Sequence, residues 1–359
     1  MPRPLSGLLW RVPCLGQPHM LPRPTASLIA TACTMLLYGC YPMHVSLGHL
    51  DLMSRRQPLA VVVSDTGTAS ELKTHLQRVA AMREFASREL GLPDNGSYRS
   101  YAPLDRDYPV WNVWVTPEFD LRPRQSCFPV AGCVPYRGYY SKRLAEKYAA
   151  PFADAGDDVM VGGVAAYSTL GFFDDPVTPA MLRLPEERLA GVIFHELAHQ
   201  VVYVKNNATF NESFARAVEI EGTLRWLEKR NDAAGLARYR DALKRADVFF
   251  AEVQAARAEL AALYASGKHP AEKRQGKENI FAAMRERQHQ RKAAEPAWES
   301  HDLWFDGLNN ARLTAVATYF DDVAMFRELF RGHGGDFAAF YAAVRSRAKQ
   351  LERSARVSA

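Results

Sequence analysis

The stretch Leu189-Ala190-Gly191-Val192-Ile193-Phe194-His195-Glu196-Leu197-Ala198-His199 carries the reading from which the rest of the chain follows. Pro185-Glu186-Glu187 just upstream has the character of a helical first turn, with proline near the first helical position and acids complementing the macrodipole. Apolar residues then recur at Leu189, Val192, Ile193, Leu197, Val201 and Val202, which predicts a buried helix. At 3.6 residues per turn His195 and His199 stack on one face, and Glu196 lies about 100° round from His195. An H-E-x-x-H pattern of this kind presents two imidazoles to one metal ion, with the glutamate placed as a general base. Buried ionisable groups are costly unless paired or metal-bound.

Working outward, Trp111-Asn112-Val113-Trp114-Val115 alternates as a strand, and Asp158 to Ala166 predicts a second one. Gly48 to Arg56 predicts a short amphipathic helix, and Ser70 to Gly91 a longer one ending at glycine. From Pro185 onward nearly everything has helical character, including Ala234 to Gly267, with the charged run Lys268 to Lys277 expected as a solvated loop. No internal repeat or low-complexity linker divides the chain. The expected organisation is one α+β body over residues 40–359, mostly helical, with a small mixed sheet next to the His195–His199 helix and a helical C-terminal part from about residue 223.

The pentapeptide alone arises by chance in roughly one chain in a hundred of this length, so a second element is needed. Phe210-Asn211-Glu212-Ser213-Phe214-Ala215 supplies it, after a loop expected at Asn206 to Thr209. The segment resembles the Asn-Glu-x-x-Ala signature of gluzincin metallopeptidases, which implies that Glu212 on a second helix completes a His, His, Glu zinc site. Only 12 residues separate His199 from Glu212, fewer than is usual in that clan, so Glu219, with 19 intervening residues, is the rival. The local context favours Glu212, with Glu219 then steadying a ligand histidine. Three protein ligands leave a fourth position for water, as catalytic rather than structural Zn2+ sites require. Hydrolysis follows: Glu196 takes a proton from the activated water and returns it to the leaving amine. Negative charge on the carbonyl oxygen calls for a donor, and Tyr167, Tyr139, Tyr140 and Tyr319 are candidates, each of which is also plausible as an ordinary core or rim residue.

The likeness extends beyond the metal motif. From Cys40 almost to the carboxyl end the chain resembles a family of bacterial envelope proteins named putative aminopeptidases. The stretches that carry it include GHLDLMSRRQPL (48–59), FASRELGLPDN (85–95), CFPVAGCVPYRGYY (127–140), GGVAAYSTLGFFDDP (162–176), IFHELAHQVVYVKNNATFNESFARAVE (193–219) and LNNARLTAVATY (308–319). The resemblance implies a zincin-like fold and a peptide substrate. Gly162 and Gly163 are expected to let that peptide approach an extended strand closely. The loop Tyr167 to Pro176 is expected at the site entrance, where Asp174 or Asp175 would hold a free α-amino group or else cap the turn before Pro176. Asn309, Asn310 and Arg312 would line the cleft from the helical end, with a buried amide satisfying backbone as the alternative for Asn310. The Gly-x-Met-Glu-Asn motif that binds the amino terminus in the best-known gluzincin aminopeptidases is absent. An endopeptidase, or a non-catalytic envelope assembly or binding lipoprotein with a metal-stabilised fold, therefore stands beside an aminopeptidase; the intact Glu196 favours an enzyme.

Residues 1–39 contain no acid, and Ala26 to Tyr38 are uninterrupted small or apolar residues after Arg23. That reads as a secretory signal, because 13 helical residues rise only about 20 Å against a hydrocarbon core of roughly 30 Å. Leu37-Tyr38-Gly39-Cys40 resembles the bacterial lipobox, which implies a lipid on Cys40 as the mature first residue, a membrane tether and a periplasm-facing body. Tyr41 after Cys40 leans toward the outer membrane, and Met20 would begin a more typical leader of 20 residues. In an exported chain Cys127 and Cys133 are expected to pair as a disulfide, since a thiolate metal site lacks C-x-x-C spacing and a nearby histidine. The three Asn-x-Ser/Thr matches, at Asn95, Asn207 and Asn211, are discounted in a bacterial chain. Among 359 residues, 45 Lys+Arg stand against 40 Asp+Glu, and removing Arg3, Arg11 and Arg23 with the leader leaves a net charge of only +2. No nucleic-acid partner is expected, and 48 % hydrophobic with 24 % charged residues excludes a disordered chain or a polytopic membrane protein.

Overall fold

A computed structural model of the protein describes residues 40–357 except 129–131, 167 and 321. The expected leader and Tyr167 lie outside the described residues, as do the side chains of Cys40 and Tyr319. The chain divides into two compact units, Met1–His44 and Val45–Ala359. Of the first, residues 40–44 are described, and they open helix α1 (Cys40–Ser54). The second carries β1 (Gln57–Pro58), α2 (Leu59–Ser64), α3 (Ser70–Leu90) and β2 (Ser100–Tyr101), then β3 (Val110–Thr116), β4 (Ser126–Phe128), β5 (Gly132–Val134) and β6 (Arg137–Tyr139). After α4 (Lys142–Asp154) and β7 (Asp158–Val164) come α5 (Pro179–Leu182), α6 (Glu186–Ala198), α7 (Ala208–Lys229), α8 (Ala233–Ala265) and α9 (Pro270–Ala294). A 3-10 turn at Pro296–His301 leads to α10 (Asp302–Phe305), α11 (Asn310–Phe320), α12 (Val323–Gly332) and α13 (Phe337–Val357). The α+β, mostly helical class expected from the sequence is what the structure shows. No helix among the described residues is long and apolar enough to cross a membrane.

The sheet beside the metal helix has the order β6-β3-β7. Both pairings are antiparallel, so it is not the mixed sheet expected. The reason lies in the connection: β6 and β7 run the same way but flank β3, and α4 crosses over β3 instead of joining two neighbours. Helix α3 buries Leu76, Val79, Met82, Phe85, Ala86 and Leu90 at helical spacing and stops where Gly91 turns left-handed (φ 63°), its N–H donating to the Ala86 carbonyl. The main core joins this face to Leu189, Ile193, Phe194 and Leu197 of α6 and to Phe210, Phe214 and Val218 of α7, closed by aromatic residues of α12 and α13. A second core forms between α8 and α9, with Phe249, Val253 and Leu260 against Phe281 and Met284.

The run Lys268 to Lys277 is not a solvated loop. His269 caps α9, accepting from the Ala271 N–H while its own N–H donates to Glu272, and Pro270 opens the helix at its first position. Lys277 is buried, and its Nζ donates to Asp158 Oδ2 on β7 at 2.7 Å and to the Glu118 carbonyl at 3.2 Å. Charge density there marks a tie between α9 and the sheet.

Candidate metal centre

Helix α6 begins at Pro185, with Glu186 and Glu187 in its first turn, and ends with His199 as its C-cap residue, so Val201 and Val202 lie beyond it. Its buried residues surround His195 on most sides. Helix α7 packs along α6, and Asn207 starts it by accepting from the Phe210 N–H. The next asparagine does more. Asn211 Oδ1 accepts from the Val204 N–H at 2.7 Å while its Nδ2 donates to the Val204 carbonyl at 2.8 Å. This two-way clamp pins the connector to the first turn of α7 and sets Glu212 beside the histidines despite the short spacing. Asn207 and Asn211 are thus consumed by the fold.

His195 Nε2 lies 3.2 Å from His199 Nε2 and 3.2 Å from Glu212 Oε2, and His199 Nε2 lies 3.7 Å from the same oxygen. A tetrahedral ion with bonds of about 2.0–2.1 Å would hold its ligand atoms about 3.3 Å apart, so the donor set already has the span such an ion needs. The three side chains form a buried group able to hold a metal ion. Glu219, about two turns further along α7, takes the other side of His195, with Oε2 3.2 Å from Nδ1. Its second oxygen is ion-paired with the buried Arg216. Gly191 eases this approach: a Cβ there would stand 3.0 Å from Glu219 Cγ, so the bare glycine spares the carboxylate a tight contact as it crosses α6.

These contacts set the electrostatics. Burial alone would lower the His195 imidazole, but the carboxylates of Glu212 and Glu219 outweigh it and raise it to about 10. Burial likewise pushes Glu212 and Glu219 up, yet His199 and His195 hold the first, and Arg216 and His195 the second, at about 2. Glu196 is raised by burial, against the pull of His195 and His199.

The cluster opens into a cavity of about 280 Å³. His195, Glu196, His199 and Glu212 form its polar end, and Tyr136, from the turn between β5 and β6, and Tyr203, from the connector, stand in its wall. Both phenols are raised, first by burial and then by the charge of Glu212, and so keep their protons. Neither was among the tyrosines expected to act; the period-2 alternation Val134, Tyr136 from the cavity-facing side of β5 is the signal that points to the first. Cys127 and Cys133 form a disulfide across the β4–β5 hairpin, whose Phe128 and Val134 also line the cavity.

Several expected site residues lie elsewhere. Gly163 does give close approach, but to Tyr108, whose ring would sit 2.2 Å from a Cβ at that position, so the space is already filled. Asp174 packs against Gly96, and its carbonyl accepts from Arg56. Asp175 is fully buried and braces its own loop by accepting from the Thr169 N–H and hydroxyl; burial raises it to about 7. Ser168 and Leu170, not the two aspartates, bring that loop to the cavity. Asn310 is saturated at the start of α11: Nδ2 donates to the carbonyls of Pro117, Glu118 and Asp120, and Oδ1 accepts from Tyr264. Asn309 and Arg312 are spent on backbone carbonyls as well. Tyr139 stacks on Tyr148, and the Tyr140 ring fills the space above Gly48. None of these expected residues lines the cavity.

Two helices presenting a buried His, His, Glu group to a cleft, with a further glutamate beside it, define a candidate hydrolytic metal centre. The profile of the family described as "Putative aminopeptidase" matches residues 40–358, and the chain belongs to that family. No curated protein and no solved structure matches the chain.

Proposed function

We propose that the protein is a zinc-dependent peptidase, with His195, His199 and Glu212 holding the ion and Glu196 acting as general acid and base. The observation that carries the proposal is the span of the three donor atoms, which suits a tetrahedral ion without rearrangement. Bound there, zinc supplies Lewis acidity to a peptide carbonyl and acidifies a water. Glu196 adjoins the same cavity, and burial keeps its carboxyl basic enough to take a proton and pass it to the leaving amine. Tyr136 and Tyr203 offer protonated hydroxyls to the charge that develops on the carbonyl oxygen. Glu219 and Arg216 orient His195 from behind. The aminopeptidase activity in the family's name calls for a carboxylate to hold a free α-ammonium. Asp174 and Asp175 do not reach the cavity, so the reading supported here is peptidase without a stated end preference.

The test is zinc stoichiometry with peptide cleavage for the wild type, Glu196→Gln and Glu212→Gln. The expected pattern is full zinc and lost turnover in the first variant, and lost zinc in the second; equal turnover in Glu196→Gln and wild type sinks the mechanism. Export and lipid attachment at Cys40, outer membrane rather than inner, complete the proposal. Labelling with radioactive palmitate followed by membrane fractionation checks it, with Cys40→Ser expected to abolish the label.

A further inference from the structure

Asn112 sits in the middle of β3, the central strand, and is only 7 % exposed. Its cross-strand neighbours are Gly138 on β6 and Gly162 on β7, so neither flanking strand puts a side chain over it. Its amide adjoins the metal cavity, and no described residue bonds to it. The contrast with two other buried asparagines is sharp: Asn211 bonds the Val204 backbone with both ends of its amide, and Asn310 donates to backbone carbonyls while accepting from the Tyr264 hydroxyl. Neither atom of the Asn112 amide is among the fully occluded polar atoms that lack a partner, so the amide is reachable from the cavity, which points to a ligand as the partner it serves. Beside Tyr136, Tyr203 and Ser168, the wall is largely apolar, with Val110, Phe128, Val134, Val164, Ala166 and Leu170. Among the described lining residues the carboxylates are Glu196 and Glu212, both committed to the metal chemistry.

We propose that Asn112 is the polar anchor for the main chain of the substrate, and that the cavity takes an uncharged peptide segment with an apolar side chain, without selecting for a free α-amino group. The inference rests on the peptidase reading and deepens it. A neutral amide can donate to a peptide carbonyl and accept from a peptide N–H, which an internal or capped segment offers and which a desolvated ammonium would need a carboxylate to replace.

The test uses the zinc-loaded Glu196→Gln protein and two probes, phenylalanyl-leucinamide and its N-acetyl form, with binding measured by calorimetry. The acetylated probe should bind at least as tightly as the free amine. Adding Asn112→Ala should weaken it about fivefold to tenfold with thermal unfolding showing an intact fold. Because Asn112 is buried, Gly138→Ala serves as a second variant: its Cβ would stand 3.2 Å from Asn112 Oδ1 and should weaken the acetylated probe while leaving Asn112 in place. The proposal is overturned if the free amine binds tenfold tighter, if neither probe binds, or if folded Asn112→Ala binds as well as its parent. Binding of the acetylated probe without its cleavage by the Glu196-containing protein would instead overturn the peptidase reading and leave the anchor standing.

Discussion

Replacing Glu219 by glutamine tests whether a carboxylate outside the donor set controls the metal centre. The change keeps the shape of the side chain that lies over Gly191 but removes the charge 3.2 Å from His195 Nδ1. Loss of such a partner behind a ligand histidine typically lowers metal affinity about 10- to 100-fold, equivalent to roughly 1.4–2.7 kcal/mol. A second cost arises at Arg216, which is 8 % exposed and loses the carboxylate it pairs with. Breaking one side of a buried pair costs about 3–5 kcal/mol of folding stability, whereas removing both sides costs far less. Glu219→Gln alone should therefore lose both stability and zinc affinity. The double variant Glu219→Gln/Arg216→Met should regain most of the stability and none of the affinity. Competition with a chromogenic zinc chelator and thermal unfolding read the two quantities separately. Wild-type zinc affinity in a folded double variant would refute the reasoning, since the histidine would then need no support from α7.

Zinc binding should expel a proton at pH 7, because the metal-free cluster holds His195 charged up to about 10 and ligation needs the neutral ring. Affinity should rise about tenfold per pH unit over this range, and calorimetry in buffers of different ionisation enthalpy counts the proton. Asp175 titrates near 7 in the fold against an ordinary value of 3.8. The stability it leaves intact is fully present below 3.8 and is lost as pH rises through 7, at about 1.4 kcal/mol per unit between the two values. Asp175→Asn should thus raise the melting temperature more at pH 8 than at pH 4, and an equal change at both would contradict the assignment. Asn310→Ala should lower the melting temperature through its lost backbone partners and leave KM for peptides unchanged, a kinetic split that a role in substrate binding would reverse.

What the sequence disclosed was what local periodicity encodes. The α6 helix, the α3 helix with its glycine stop, and the β3 and β7 strands all announce themselves within their own short stretches of sequence. The Glu212 cluster was legible because its two halves lie on consecutive helices joined by a short connector. The polar start of α9 was not, since histidine is an uncommon cap and the partner that buries Lys277 is Asp158, far away in the chain. Asn112 and Tyr136 escaped for a related reason. Their chemistry depends on what does not cover them, and that is decided by glycines on neighbouring strands and by the fold of a hairpin. Asp175 and Asn310 erred the other way, being polar residues whose hydrogen bonds were already taken by the fold, and the Asp174 side chain packs against Gly96.

The Asn211 amide reproduces with one side chain the pair of bonds that a neighbouring strand would make to Val204. It acts as a length gauge: the connector after His199 has no slack to absorb an extra residue without breaking one rung or moving Glu212 off the histidines. Insertions and deletions between residues 200 and 207 should therefore be far more damaging than substitutions there, and a designer wishing to relocate the third donor would have to rebuild the gauge before touching the donor itself.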